Sequence, residues 1–198
     1  MHVIKEYSNQ IVIEKSKFIC YIVPCKNEDD YKNALSSLKK KYYDASHVCS
    51  AFIINGLKRS SDDGEPSGTA GVPILNSLEK NNMNNVGAFV VRYFGGIKLG
   101  AGGLNRAYGN SVSECLKTCK LYKTVELKKY CIEVPYTMSS DLSTLLKNHS
   151  TLLLEKYEEN VTFEFAIEND SLIDNILSIT KGLKPTYIGI ENVDKIVK

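Results

Sequence analysis

Two glycine-rich stretches of this sequence decide its fold: residues 62–73 read DDGEPSGTAGVP, and residues 90–109 read VVRYFGGIKLGAGGLNRAYG. Together they contain 9 of the 13 glycines in the chain. Ordering glycine costs conformational entropy, so a cluster of it indicates unusual dihedrals or a close approach of the backbone to another group. Each stretch leads from a strand-like segment through a turn into a helix-like segment. Backbone N–H groups at such helix starts bind anions, so we expect a site for a phosphate-bearing ligand.

The overall composition is that of an ordinary globular protein. The chain has 198 residues, of which 43% are hydrophobic and 24% are charged, so it can form one large or two small domains. Residues 1–10 lack the apolar stretch of a signal peptide, and no apolar run approaches the ~18–20 residues that a membrane span needs. We therefore expect a cytoplasmic protein that does not bind a membrane.

The cysteines indicate buried thiols. The chain has 6 cysteines, and they form neither a C-x-x-C pair nor a zinc-binding spacing. Most of them stand among apolar residues, as free cysteines in protein cores do. We expect neither disulfides nor a cysteine-bound metal.

The charge is distributed unevenly along the chain. Residues 1–122 contain 16 Lys and Arg against 11 Asp and Glu, whereas residues 123–198 contain 9 against 12. The net charge of +2 therefore combines a basic first part with an acidic second part. This asymmetry is typical of two modules with different partners, and it points to a protein partner for the acidic module.

The first part of the chain is predicted to mix strands and helices. A helix capped by Asn27 has acidic residues in its first turn and lysines 39–41 in its last, which complements the helix dipole. A second helix is expected near Pro73, and a third after the glycine turn at 95–103. The predicted strands are 11–14, 18–23, 47–55 and 86–94.

The second part of the chain has a different pattern. Strand-like segments at 125–134, 152–157, 161–167 and 186–193 alternate with helical segments at 140–147 and 171–179. The resulting order βαββαβ is that of the ferredoxin-like split βαβ unit. We therefore predict an α+β protein with one domain over residues 1–122 and a ferredoxin-like domain over 123–198.

The two motifs, SDDGEPSGTAG and VVRYFGGIKLGAGGLNRAY, resemble those of the bacterial branch of the IMPACT/YigZ family. The resemblance covers the first predicted domain, and the βαββαβ unit resembles the small domain that bacterial members add. It implies a first domain like the second domain of ribosomal protein S five, a fold shared by translation factors and some small-molecule kinases. It also implies a second domain similar to a ferredoxin-like domain of elongation factor G.

Arg92 is the charged residue that stands out in the predicted strand 86–94. Side chains alternate along a strand, so Arg92 shares a face with Ala88, Val90 and Phe94 and places a charge on an apolar surface. It is expected either to bind a phosphate together with Lys98 and Arg106, or to pair with a carboxylate of the acidic loop. Both interpretations stay open, and a ligand can also complete a network that the loops already share.

The acidic loop offers oxygen ligands and turn chemistry. Asp62, Asp63 and Glu65 can hold Mg²⁺ that bridges to a phosphate, or they can accept hydrogen bonds from their own turn. Ser67 and Thr69 are expected either to bind phosphate or to cap the helix that follows. Apart from this Mg²⁺ we expect no cofactor, because neither a P-loop nor a dinucleotide-binding fingerprint occurs.

The functional expectation is a binding protein for RNA or the ribosome that modulates translation. Cations next to aromatic residues hold single-stranded RNA through phosphate contacts and base stacking, although Tyr108 also fits the core. The alternatives are a metal-assisted enzyme acting on a phosphorylated small molecule, and a protein-interaction adaptor. His47 heads a strand and is interpreted as structural. The residues predicted to bind phosphate or nucleic acid are Arg92, Tyr93, Phe94, Gly95, Gly96, Lys98, Gly100, Gly102, Gly103 and Arg106.

Overall fold

A computed structural model describes residues 1–197, which divide into two compact units. The first unit contains Met1–Lys123 together with Ile196 and Val197, and the second contains Thr124–Lys195. Ile196 and Val197 join the first unit, where the Val197 N–H donates to the Leu121 carbonyl at 2.8 Å. The sequence had assigned these last residues to the second domain.

The first unit is a five-stranded antiparallel sheet with three helices. Its strand order is β1-β2-β5-β3-β4, so β5 is central. Its elements are β1 (Tyr7–Ile13), β2 (Ser16–Pro24), α1 (Glu28–Lys41), β3 (His47–Ile54), β4 (Leu57–Ser61), α2 (Gly71–Lys80), β5 (Val86–Tyr93) and α3 (Gly100–Thr118).

Strand β4 is the one element of this unit that the sequence analysis missed. All five of its residues are exposed, so it lacks the apolar alternation that identifies a half-buried strand. It pairs with β3 across Asn55 and Gly56, which both have positive φ angles, 49° and 80°. An Asn-Gly pair is the usual signal of a two-residue hairpin, and it was available in the sequence.

The two faces of this sheet are covered by different helices. Helix α1 packs on the side of Tyr21, Phe89 and Val91, while α2 and α3 pack on the side of Ala88 and Val90. Because side chains alternate along β5, Arg92 belongs to the face that α2 and α3 cover. Asn27 caps α1 as predicted, since its side chain accepts from the Asp30 N–H at 2.8 Å.

The second unit has the predicted βαββαβ order. Its core is formed by side chains such as Leu142, Phe163, Phe165 and Ile176. Its antiparallel sheet has the strand order β7-β8-β6-β9, which confirms the ferredoxin-like arrangement and the α+β class. Its elements are β6 (Tyr122–Val134), α4 (Tyr136–His149), β7 (Thr151–Tyr157), β8 (Val161–Ile167), α5 (Ser171–Ile179) and β9 (Thr186–Ile196).

The six cysteines form no disulfide within residues 1–197, and all but Cys131 are buried. Burial raises the pKa of Cys25 to about 11 and the pKa of Cys49 to about 12, so both stay protonated at neutral pH. Among residues 1–197, no helix combines the length and the apolar character needed to cross a bilayer.

Gly95 is a glycine because of a close approach between two turns. A Cβ atom at this position would lie 2.0 Å from the carbonyl carbon of Lys15, in the turn between β1 and β2. The Lys15 carbonyl oxygen and the Ser16 nitrogen would lie 2.2 and 2.4 Å away, and all three atoms belong to the backbone, so they cannot move aside as a flexible side chain would. Because Gly95 has no side chain, the end of β5 can approach the β1–β2 turn this closely.

We predict that Gly95→Ala lowers the free energy of unfolding by about 3 kcal/mol, because overpacking against backbone forces strands apart. Gly102→Ala is the matched control, since a Cβ there meets only the Arg106 Nη1 atom, at 3.8 Å, inside helix α3. Alanine is the better helix former, so this control should be neutral or stabilising. Urea denaturation followed by circular dichroism measures both variants, and an unchanged midpoint for Gly95→Ala would contradict the prediction.

Candidate functional site

The two glycine-rich stretches meet at a cavity of about 560 Å³ in the first unit. We call it the His47 cavity. It opens between the start of β3, the acidic loop, the end of β5 and the start of α3. Its lining residues are Ser46, His47, Glu65, Pro66, Arg92, Phe94, Lys98, Leu99, Gly100, Ala101 and Leu104.

A buried ion pair forms the floor of the His47 cavity. The Arg92 Nη1 atom donates to Glu65 Oε1 at 2.5 Å, and the two side chains are only 6% and 4% exposed. The Tyr108 hydroxyl donates to the same carboxylate oxygen at 2.7 Å. Burial raises the pKa of Tyr108, so this hydroxyl keeps its proton. The structure therefore gives Arg92 the carboxylate partner that the sequence offered as one of two interpretations.

The Arg92 guanidinium lies between two aromatic rings. Its Cζ atom is 5.5 Å from the ring centroid of Phe18 and 5.5 Å from that of Phe94. Phe18 is buried, whereas Phe94 is 50% exposed. Among residues 1–197, the Arg92 Nε atom has no hydrogen-bond partner. Arg92 therefore keeps one fully buried donor without an acceptor among the described residues.

His47 lines the cavity, so the prediction that it stands away from the glycine loops is wrong. Its contact with the acidic loop agrees with the structural role predicted for it. It is paired directly with Arg92 in the register of β3 and β5. Its Nδ1 atom contacts the Asp63 carbonyl at 2.8 Å, and this acceptor assigns the ring proton to Nδ1. Its Nε2 atom lies 3.9 Å from Glu65 Oε1. The sequence alone does not give the register of β3 against β5, and this register brings His47 next to Arg92.

The start of α3 forms another wall of the His47 cavity. This helix begins at Gly100, so the glycines 102 and 103 lie in its first turn and not in the preceding turn, as the sequence analysis expected. Its N-cap residue is Leu99, whose apolar side chain makes no capping hydrogen bond to the first backbone N–H groups. Gly96 and Gly100 have φ angles of 86° and 67°, which explains why glycine stands at both ends of this turn.

A second cavity of about 460 Å³ lies on the other side of the segment containing Lys98 and Leu99. We call it the Arg106 cavity. Lys98 and Leu99 line both cavities. Arg106 is in the second turn of α3, one turn later than predicted. The lining residues are Ile13, Glu14, Ile97, Lys98, Leu99, Gly103, Arg106, Ala107 and Asn110.

Lys98 and Arg106 are exposed cations without a carboxylate partner in residues 1–197. Glu14, which lines the Arg106 cavity, is the nearby acid there, and it forms no ion pair with either of them. The two cations are therefore available to a ligand, in contrast to Arg92.

Tyr93 is not part of this site. Its hydroxyl donates to Asp44 at 2.7 Å, and this bond is the main reason that its pKa is raised to about 12. The Lys17 ammonium lies 4.4 Å from the centre of its ring. Tyr93 packs with the cluster under α1, on the sheet face opposite to Arg92. Phe94 is thus the aromatic residue that the predicted site retains.

Asp62 caps helix α2, a role that the sequence analysis gave to Ser67 or Thr69. Its carboxylate accepts from the backbone N–H groups of Gly68, Ala70 and Gly71 at 2.8, 3.0 and 2.8 Å. Partial burial acts to raise the pKa of Asp62, but these bonds outweigh it and hold the pKa below its usual value. The Thr69 hydroxyl instead donates to the Pro66 carbonyl at 2.6 Å.

The acidic loop does not gather its carboxylates around one point. Asp63 accepts from the Lys39 ammonium at 2.6 Å and from the Val48 N–H at 2.7 Å. Asp62 is directed to the start of α2, and Glu65 to Arg92 and Tyr108. Over the described chain, 1–197, no three His, Cys, Asp or Glu side chains are placed to hold a metal ion. The carboxylates in this arrangement tie the loop to the fold.

The fold is that of a two-unit α+β protein, and the first unit, which contains both cavities, corresponds to a known protein domain. Residues 14–116 match the Impact N-terminal domain. The IMPACT family member YvyE of Bacillus subtilis (strain 168) is 43% identical over 164 residues, which are 81% of this chain and 76% of that protein. The chain belongs to the IMPACT family, which confirms the resemblance seen in its motifs.

Other relatives extend this comparison. The IMPACT family member YigZ of Escherichia coli (strain K12) is 35% identical over 139 residues, 68% of each chain. A crystal structure of a hypothetical protein has a TM-score of 0.61 and 27% identity, and the match covers 94% of this chain and 96% of that one. The likeness therefore extends over nearly the full length of a solved structure.

We predict that Arg92→Ala destabilises the first unit by about 3–5 kcal/mol, because it leaves the Glu65 carboxylate buried without its countercharge. In the double variant Arg92→Met with Glu65→Gln, both charges are gone, so the loss should be smaller than in the single variant. Urea denaturation of wild type, the single variant and the double variant measures the three free energies of unfolding. A single and a double variant of equal stability would show that the charge pair does not determine the loss.

We predict that Asp62→Ala costs about 1–2 kcal/mol at neutral pH, the usual value of a helix cap. The folded-state pKa of Asp62 is lowered, so its contribution is present above the ordinary pKa of aspartate and is lost as the pH falls through the lowered value. The stability difference between wild type and variant should therefore shrink in acid. Urea unfolding curves of both proteins, measured at neutral pH and at pH values near and below the pKa of aspartate, test this prediction. A stability difference that does not change with pH would contradict the capping role of Asp62.

Proposed function

We propose that this protein binds single-stranded RNA, free or within the ribosome, through its first unit and thereby modulates translation. The observation that supports this best is the position of Lys98 between two neighbouring cavities. One cavity offers the exposed ring of Phe94, and the other offers Arg106. Successive nucleotides need such a series of cationic and aromatic contacts.

The His47 cavity suits one nucleotide. Its volume lies within the range of about 300–1,000 Å³ that is typical of small-molecule sites. Phe94, Leu99 and Leu104 give it an apolar wall on which a base can stack. The uncapped N–H groups at the start of α3 lie at its edge and favour a phosphate. A nucleotide combines these two properties in one ligand.

The Arg106 cavity suits the next part of the strand. Arg106 and Lys98 are both exposed, and Asn110 adds a side-chain amide one helical turn further on. A guanidinium binds a phosphate through two parallel hydrogen bonds, and an amide can both donate to and accept from a base edge. The excess of Lys and Arg over residues 1–122 adds a long-range attraction for RNA.

We favour RNA binding over the metal-assisted enzyme because the loop carboxylates are engaged by protein groups. Asp62, Asp63 and Glu65 each accept hydrogen bonds that hold the fold together. An adaptor function would leave the two exposed cations without a ligand. RNA gives a role to Phe94, Lys98 and Arg106 together.

The decisive measurement is the affinity of labelled single-stranded RNA for wild type and for the double variant Lys98→Ala with Arg106→Ala. We expect the wild-type affinity to fall steeply with salt, and the slope of log K against log salt to be reduced by about 0.7 for each phosphate contact removed. Phe94→Ala should cost about 1–3 kcal/mol of binding through lost stacking, with an unchanged salt slope. Neither Lys98 nor Arg106 forms an ion pair with Glu65, whereas Phe94 contacts the Arg92 guanidinium, so urea denaturation must show that Phe94→Ala stays folded.

Lys117→Ala is the matched control for the double variant. Lys117 is an exposed cation on the same helix, about three turns beyond Arg106, and it pairs with Glu114 at 2.6 Å. Its removal should leave RNA binding unchanged. If wild type binds no RNA at any salt concentration, or if all variants bind it equally, the proposal for this site is wrong.

A further inference from the structure

We infer that the Arg106 cavity binds a guanine base of the RNA through the side chains of Glu14 and Asn110, which both line it. This inference rests on the proposed RNA-binding function and adds a preference for one base. Two observations support it: the free polar groups that share this cavity, and the backbone conformation of Glu14.

The Arg106 cavity combines an acid, a cation and an amide that are all exposed: Glu14, Arg106 and Asn110. Among residues 1–197, these three side chains form neither an ion pair nor a hydrogen bond with the protein. An acid and an arginine that line one cavity without pairing leave both groups to a ligand. Glu14 therefore offers two carboxylate oxygens that only accept hydrogen bonds.

A carboxylate distinguishes guanine from the other three RNA bases. The Watson–Crick edge of guanine has two neighbouring donors, the N1–H and the 2-amino group. On the corresponding edges of adenine, cytosine and uracil, every donor group stands next to an acceptor. A carboxylate therefore gains two hydrogen bonds from guanine, whereas against another base one of its oxygens faces an acceptor and stays unpaired.

The rest of the Arg106 cavity fits the remaining parts of a guanosine nucleotide. The Asn110 amide can donate to the O6 atom, which adjoins the N1–H of guanine. Arg106 and Lys98 stay available to the phosphates, as in the proposed function. The volume of about 460 Å³ is within the range of small-molecule sites. An apolar surface for the face of the base is provided by Ile13, Ile97 and Leu99.

The backbone conformation of Glu14 is the second observation. Ile13 pairs with Ser16, so Glu14 and Lys15 form a two-residue turn between β1 and β2. Their φ angles are 46° and 62°, and a positive φ at both positions is typical of a type I′ turn. Asn and Gly are the favoured residues in such a turn, and glutamate is uncommon at a positive φ. Strained residues of this kind cluster at functional sites.

The turn that carries Glu14 is held in a fixed position. Gly95 approaches its backbone so closely that a Cβ atom would lie 2.0 Å from the Lys15 carbonyl carbon. Residues 97–99 follow Gly95 after one residue and line the same cavity. Close packing at Gly95 thus ties the turn to the segment that forms another wall. A group that recognises a base has to be positioned in this way.

The test compares uridine-rich RNAs of about eight nucleotides that carry guanosine, adenosine, cytidine or inosine at one internal position. Binding to the full-length chain is measured by fluorescence anisotropy at one salt concentration. We expect the guanosine form to bind about tenfold to 100-fold more tightly than the adenosine form. Inosine keeps the N1–H but lacks the 2-amino group, so its affinity should be intermediate. Equal affinity of all four forms would overturn the inference.

Glu14→Gln tests the carboxylate itself. The amide has one acceptor in place of two, so the ratio of the adenosine to the guanosine dissociation constant should fall to about one. The ratio is the readout, because loss of a negative charge strengthens the binding of every RNA. Glu114→Gln is the matched control, since Glu114 is an exposed acid about two turns beyond Arg106 and pairs with Lys117. It should leave the ratio unchanged. A ratio that survives Glu14→Gln would overturn the inference.

Glu14→Asn separates recognition from folding. Asparagine adopts a positive φ more readily than glutamate, so the urea midpoint should rise. Its shorter side chain ends in an amide and cannot replace the two acceptors, so the guanine preference should be lost. A glutamate that serves folding would give the opposite result, a lower midpoint with an unchanged ratio, and that result would overturn the role of Glu14.

Free guanine nucleotides carry the same base, and competition with GMP distinguishes this source. We expect GMP to displace the guanosine RNA only far above the dissociation constant of that RNA, because GMP lacks the neighbouring phosphates. GMP that binds as tightly as the RNA would assign the cavity to a free nucleotide and overturn the inference. RNA binding that requires Lys98 and Arg106 but ignores the base would leave the proposed function standing and overturn the guanine site. If no RNA binds, both are wrong.

Discussion

The buried contact between Glu65 and Arg92 is the interaction on which the first unit depends. It joins the acidic loop to the central strand β5, and Tyr108 adds helix α3 to the same carboxylate oxygen. Removing charges from water is costly, so such a pair persists only where hydrogen bonds and packing complete it. Here Phe18 and Phe94 enclose the guanidinium from two sides. The loop, the strand and the helix are thereby held at fixed positions around one cavity.

Much of the fold could be predicted because local chemistry and global structure agree. The cap at Asn27, the helix over residues 171–179 and the βαββαβ order follow from capping residues and from apolar periodicity. Helix α4 begins at Tyr136, four residues before the predicted segment 140–147, with Pro135 as its N-cap. Strand β4 was missed because its exposed residues contain no periodic signal.

The candidate site was predicted less completely, because it depends on contacts between distant segments. The sequence identified Arg92, Phe94, Lys98 and Arg106 but could not choose between a phosphate and Glu65 as the partner of Arg92. It placed His47 outside the site, since only the register of β3 against β5 brings this residue to the cavity. It also gave the capping role to hydroxyl side chains, whereas Asp62 reaches α2 from eight residues before Ala70.

The burial of five cysteines has a consequence for how this protein meets oxidants and electrophiles. A thiolate is the reactive form, and burial both hides the sulfur atoms and keeps Cys25 and Cys49 protonated. Reagents would therefore modify the half-buried Cys131 of the second unit long before the core thiols. The five buried cysteines all belong to the first unit and react only when it opens. The rate at which they are alkylated therefore measures how often the first unit unfolds.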